Sequence, residues 1–199
     1  MCGRFSFTSI EEIYEMRRIL QEIGANLGTD ALSLVKAGDI RPTDMAAALC
    51  TTPKGEYATL LRWGYPMRNS TGSIINARIE TVCEKPTFSR SIPARRCLIP
   101  ATGFFEWYGE GKTKQKYHIR LKGEDFFYLA GLYDTYPVKN TPAQCFVVLT
   151  GNAQGEMKRI HERVPMLVPP GRKDLWLKSN SISELEAENE TRELLIEAV

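Results

Sequence analysis

Ile10, Ile13, Tyr14, Arg17, Leu20 and Ile23 recur at three- and four-residue spacing, which predicts an amphipathic helix ending near Gly24. Ser9-Ile10-Glu11-Glu12, a Ser with a Glu three residues on, marks its start as a capping box. Residues 24–44 lose the periodicity and close on Ile40-Arg41-Pro42-Thr43, where Pro42 blocks regular pairing. Tyr57 to Trp63 reads as a strand, Gly64 to Gly72 as a turn-forming insert, and Ile74 to Glu80 as a short strand running into polar residues. Further strands follow at Cys97–Pro100 and Gly103–Tyr108, and a hairpin turn from Gly109 to Gln115 leads to the alternating return strand Tyr117–Leu121. Phe126 to Leu132 and Cys145 to Thr150 are continuous apolar runs, the pattern of interior strands. Short helices are predicted over Gln154–Ile160 and Arg172–Leu177. Ser181 then caps an acidic terminal helix at about 181–199, whose Leu185, Leu194, Leu195 and Val199 dock on the body.

A chain of 199 residues suits one domain, residues 1–199, and 43% apolar with 25% charged residues is ordinary for a globular protein. The longest apolar runs, Ala46–Leu49 and Cys145–Leu149, fall far short of the ~20 residues of a membrane helix. No basic patch followed by an apolar stretch opens the chain, so no signal peptide is expected. The five cysteines are scattered and form no C-x-x-C pair, which argues against a zinc site or disulfide framework and for a reducing, cytoplasmic compartment. Net charge is +2, yet residues 184–199 hold six glutamates and one arginine. Removing them leaves 25 basic and 18 acidic residues in the body, a bias that suits nucleic acid or simply a solvated surface.

The first four residues, Met1-Cys2-Gly3-Arg4, carry the sharpest chemistry. Removal of Met1 before a small residue would leave an α-amine, with a pKa of roughly 7.7–8.0, and a thiol on the same residue. Such an aminothiol forms an imine with an aldehyde and then closes on it through sulfur, giving a thiazolidine. The alternative is a retained Met1 with Cys2 as a small buried hydrophobe. Asn76 and Arg78, two apart on a strand, share a face that points either into a site or into solvent. Glu106 lies within Phe104-Phe105-Glu106-Trp107-Tyr108; inward, burial would raise its pKa and suit it to proton transfer, while outward it would be one polar position of an amphipathic strand. His161, one of two histidines, stands between a helix and a Pro-bounded strand, either as a general acid–base or as a structural residue. The other, His118, reads as a strand-surface residue. Lys85, Arg90, Arg95 and Arg96 form either a phosphate-binding segment or a charged loop.

MCGRF at the N-terminus, INARIET at 75–81, RRCLIPATGFFEWY at 95–108 and IHERVPMLV at 160–168 stand in an order that resembles the SOS-response-associated peptidase (SRAP) family, over residues 2 to about 177. The resemblance implies an α+β fold, a single domain with a twisted, barrel-like, mostly antiparallel β core and flanking helices. It implies recognition of abasic sites in single-stranded DNA and covalent linkage to them. It places catalytic roles on Cys2, Asn76, Glu106 and His161, and DNA contacts on Arg4, Pro42, Trp63, Arg78, Thr150 and Arg163. A monomer is expected, nucleoid-associated if bacterial, with single-stranded DNA as partner and no metal, cofactor or membrane. The chain departs from the family in Trp63-Gly64-Tyr65-Pro66-Met67, which lacks a second Trp, in Thr150-Gly151-Asn152-Ala153-Gln154, and in the acidic end. Two other classes compete: an N-terminal-nucleophile Cys amidohydrolase, because class II glutamine amidotransferases also begin Met-Cys-Gly, and a noncovalent single-stranded DNA binding module.

Overall fold

The fold is described from a computed structural model, which covers residues 2–8, 13–52, 55–67, 70–109, 111–178 and 182–199. The expected capping residues Ser9–Glu12 and Ser181 lie outside the described residues. The first half of the chain forms β1 (Phe5–Phe7), α1 (Tyr14–Leu27), β2 (Gly38–Ile40), β3 (Met45–Thr52), β4 (Gly55–Trp63), β5 (Tyr65–Pro66), β6 (Ser73–Ile74), β7 (Asn76–Arg78) and α2 (Pro86–Ser89). The second half forms β8 (Arg96–Ala101), β9 (Gly103–Tyr108), β10 (Gln115–Leu121), β11 (Phe127–Val138), β12 (Thr141–Asn152), α3 (Met157–Ile160), β13 (Arg163–Pro165), β14 (Leu167–Val168), α4 (Asp174–Leu177), α5 (Ile182–Glu190) and β15 (Leu194–Ala198).

Strands β12, β4, β3, β8 and β11 pair in that order, and β11 pairs with β12 again, so the five close into a barrel. This is the mixed, mostly antiparallel, barrel-like core that the resemblance implies. A second sheet, in the order β15-β10-β9-β1-β2, lies beside it. The apolar run 145–150 became the centre of β12, fully buried from Cys145 to Gly151. One edge of β12 takes β11 and then β13, both antiparallel; the other takes β4 and then β7, both parallel. Most of the site's polar groups lie around the end of this one strand.

The helix α1 exists, but it runs to Leu27 and buries Met16, Ile19 and Ile23; Tyr14, 72% exposed, and Arg17 face outward. Burying each of those three side chains stabilises by about 1.5–3 kcal/mol. Ile13, Leu20 and Ile23 of the predicted stripe pack as expected, but Met16 and Ile19, not Tyr14 and Arg17, complete the buried face. Strand β3 was not foreseen: Met-Ala-Ala-Ala-Leu-Cys-Thr-Thr has neither alternation nor many β-branched residues, and only its pairing to β4 and β8 makes it a strand. The acidic helix expected over 181–199 ends at Glu190, and residues 194–198 instead pair with β10 as an edge strand. Leu185 docks as expected, whereas Leu195 and Val199 are exposed.

Two glycines are required by geometry. Gly64 has φ 105° at the turn out of β4, and a Cβ there would meet the Ser73 Cβ at 2.8 Å. A Cβ on Gly103 would fall 2.1 Å from His118 Nε2, because that imidazole lies across the glycine to reach Ser6 Oγ at 3.1 Å. His118 is therefore half-buried and stacked on Phe105, rather than a free surface residue.

Candidate active site

Strand β1 enters the second sheet between β2 and β9, with Phe5 opposite Phe104. The Phe105 N–H donates to the Arg4 carbonyl at 2.9 Å, one bond beyond the β1–β9 pairing toward the chain start. Cys2 is fully buried, and its thiol donates to the Arg4 carbonyl at 3.6 Å. Burial drives that thiol well above the ordinary cysteine range, and the nearby Glu106 carboxylate adds to the effect. The sulfur is accordingly held as a neutral thiol near pH 7.

Asn76 reaches this corner from the opposite side. On β7 it pairs with Val148 of β12, and its amide Nδ2 donates to the Cys2 carbonyl at 2.9 Å. Its Oδ1 is buried and has no hydrogen-bond partner among the described residues, an acceptor available to a ligand. Arg78, on the same face of β7, is exposed and makes no hydrogen bond or ion pair among the described residues. The shared face of Asn76 and Arg78 thus opens from the Cys2 corner to solvent.

Glu106 turns inward and is 4% exposed. Burial raises its pKa, opposed by the N-terminal ammonium charge and by the Trp107 backbone N–H. His161 follows α3, and its Nδ1 accepts the Arg163 backbone N–H at 2.9 Å. In the neutral ring that bond leaves the proton on Nε2. Burial, followed by the N-terminal ammonium, lowers the His161 pKa, so the ring is neutral near pH 7.

The residues expected to touch DNA divide into three groups. Arg78 is free to do so. Arg4 is half-buried, pairs with Asp39 at 3.4 Å and lies 5.0 Å over the Trp107 ring, while Pro42 occupies the half-buried turn between β2 and β3. The rest are built into the protein. Trp63 is wholly buried, stacked on Phe146 at 6.0 Å and packed against Phe5, with its indole N–H on the Ile75 carbonyl; it belongs to the core and is no stacking platform for a base. Thr150 is buried and donates to the Ala77 carbonyl at 3.5 Å. Arg163 is 8% exposed, with its terminal nitrogens on both Glu80 oxygens at 2.6 and 2.9 Å, on Asn152 Oδ1 at 2.6 Å and on the Thr150 carbonyl. In this structure the groups that would clasp a phosphate already clasp the protein.

Glu80 and Asn152 were not singled out from sequence. The available signal was indirect: an arginine destined for burial needs a carboxylate, and Glu80 stands two residues after Arg78. The basic segment 84–96 is likewise engaged internally, with Arg90 and Arg95 on Asp134 at 3.1 and 3.0 Å and Arg96 stacked on Trp176. Among the described residues no group of three or more His, Cys, Asp and Glu side chains is placed to hold a metal ion, and no helix is long and apolar enough to cross a membrane.

The family model described as SOS response associated peptidase (SRAP) matches residues 1–198. The chain is similar to the abasic site processing protein YoaM of Bacillus subtilis, 29% identical over 191 residues that cover 92% of this chain and 82% of that protein. It is 28% identical over 180 residues to the abasic site processing protein YedK of Escherichia coli, covering 89% and 80%. A crystal structure of a protein from Bacteroides thetaiotaomicron has the same fold, with a TM-score of 0.78 at 22% identity over 100% of this chain and 92% of that one.

Proposed function

This chain belongs to the SRAP family, and on that premise we propose that it captures abasic sites in single-stranded DNA by covalent reaction at Cys2, once Met1 has been removed. The α-amine attacks the ring-opened aldehyde of the deoxyribose and expels water, giving an imine. The Cys2 S–H then adds across the C=N bond, sulfur to carbon and hydrogen to nitrogen, which closes a five-membered thiazolidine. The DNA chain stays joined to the protein, and the damaged sugar is held out of reach of other chemistry.

The observation that carries this reading is the convergence of the chain start, Asn76 and Glu106 in one buried corner. Asn76 grips the Cys2 carbonyl at 2.9 Å and so fixes the direction in which the freed amine points. Its buried Oδ1 accepts from the amine or from a sugar hydroxyl. Glu106, its carboxyl pKa raised by burial, is the proton-exchanging group; it protonates the hemiacetal oxygen for ring opening and takes up the thiol proton on closure. Because burial keeps the sulfur protonated, nitrogen attacks first and sulfur second. Neutral His161 supplies a second proton relay through Nε2. Arg78 meets the flanking phosphate. The same site handles no base because the lesion has none.

The test uses a single-stranded oligonucleotide with one uracil, treated with uracil glycosylase to leave one abasic site. Wild type gives a band shifted on a denaturing gel. Cys2→Ala keeps an amine but lacks sulfur, and gives a shifted band only after borohydride trapping. Intact mass spectrometry of the wild-type protein shows loss of Met1. A wild type that forms no denaturation-resistant adduct, or one that forms it with Met1 still attached, overturns the proposal.

A further inference from the structure

A guanidinium as buried as that of Arg163 needs an answering charge, and Glu80 supplies it through both carboxylate oxygens. The pair spans the end of β12. Arg163 sits on β13, which pairs with β12 on one edge, while Glu80 follows β7, which pairs with β12 on the other. Each of these two strands has three residues, and among the described residues β12 is the sheet partner of both. On the β13 side, the Arg163 backbone N–H sets the His161 ring through Nδ1 at 2.9 Å. On the β7 side, Asn76 holds the Cys2 carbonyl at 2.9 Å, four residues before Glu80.

We propose that Glu80 is a positioning residue for this reaction: by holding Arg163 it sets the spacing between the His161 ring and the strand whose Asn76 grips Cys2. The proposal rests on the abasic-site reading of the previous subsection. Glu80 touches none of the reacting groups. Its action passes along one path, Glu80 to Arg163 across β12, then Arg163 N–H to His161. Without the carboxylate, Arg163 keeps Asn152 Oδ1 and the Thr150 carbonyl, both on β12, and loses its hydrogen bonds to the β7 side.

The experiment compares wild type, Glu80→Gln and Glu80→Asp as full-length proteins, each at a temperature where circular dichroism shows it fully folded. Three quantities are measured: the single-turnover rate of adduct formation on the abasic oligonucleotide from about pH 5 to about pH 8, binding to an intact oligonucleotide of the same sequence, and the unfolding temperature. Glu80→Gln is expected to slow adduct formation by about ten- to a hundredfold while leaving affinity for the intact strand unchanged. His161 faces the N-terminal ammonium, Glu162 and Arg163. With Glu80 neutral, the Arg163 charge is no longer offset, the imidazolium is disfavoured, and the acid limb of the rate profile moves to lower pH. Glu80→Asp keeps the charge on a shorter arm and returns the limb to its wild-type position. A Glu80→Gln protein that reacts at the wild-type rate with an unmoved acid limb overturns the proposal. So does one whose loss appears equally in binding to the intact strand. If Glu80→Gln does not fold, Glu80→Asp carries the test through its rate: a wild-type rate overturns the proposal, and a slowed reaction with unchanged binding upholds it. A wild type that forms no adduct fails the underlying reading instead, and the two failures are told apart by that control.

Discussion

Glu106 and Arg163 are buried to similar depth, 4% and 8% exposed, and the protein treats them in opposite ways. Arg163 is surrounded by acceptors from Glu80, Asn152 and Thr150, so its charge is fixed and its place is fixed with it. Glu106 sits in a corner where burial outweighs the charge of the N-terminus, so its carboxyl pKa is raised and its protonated form is favoured. One corner of the candidate site is held by ion pairing, and the other carries a carboxyl whose protonated form burial favours. Fixed geometry around a changeable proton is what a proton-transfer step requires.

The hardest blow to this contrast falls on the changeable corner. Cys2→Ala is expected to abolish the adduct that survives denaturation while leaving the cooperative unfolding transition in place, which gel shift and thermal melting together check. In the fixed corner, Arg163→Ala should leave activity difficult to measure for a different reason. It strands Glu80 and empties a packed site, at about 3–5 kcal/mol, read from the midpoint of urea unfolding at constant m-value. If Arg163→Ala unfolds like wild type, the corner is not fixed by this residue.

Glu106→Gln should slow adduct formation by about a hundredfold without loss of stability at neutral pH. Its stability effect has a definite sign. The folded pKa of Glu106 is raised, so the carboxyl favours the folded state at pH below the unfolded value and loses that contribution as pH rises through the folded value. The stability of wild type relative to Glu106→Gln should therefore fall on going from acid to neutral pH. Glu80 runs the other way. Its pKa is lowered, first by the Arg163 hydrogen bonds, so its contribution is present above the unfolded value and is lost as pH falls through the folded one. Urea midpoints against pH for the two glutamine variants separate these signs. The smallest effect belongs to exposed Arg78: Arg78→Ala should change stability by less than about 0.5 kcal/mol and reduce the slope of log affinity against log salt by about one.

Much of this was legible in the chain. The interior runs around 129 and 147, the hairpin of β9 and β10, and the short elements at 157–160 and 174–177 follow from local pattern. The closeness of Cys2, Asn76 and Glu106 was accessible through the ordered motifs, because periodicity does not say which strand pairs with which. What escaped had a common cause. Trp63 reads identically whether it faces a base or Phe146, and only the parallel pairing of β4 with β12 decides. Arg163 reads as a phosphate ligand until Glu80 is brought across β12 to meet it. Leu194 to Ala198 has enough helix formers to continue α5, yet an open edge of β10 offered a better set of backbone partners.

The closed barrel has a dynamic corollary. A ring of strands has no free edge from which to peel, so amides in the middle of β12 should exchange with deuterium only when the whole core opens. Strand β7 joins that ring by one three-residue ladder with β12, with the Glu80–Arg163 ion pair just beyond its end, and its amides should exchange sooner than those of β12. Asn76 thus stands on a short strand braced against the most durable part of the molecule, and exchange at its amide would report opening of that strand rather than of the frame behind it.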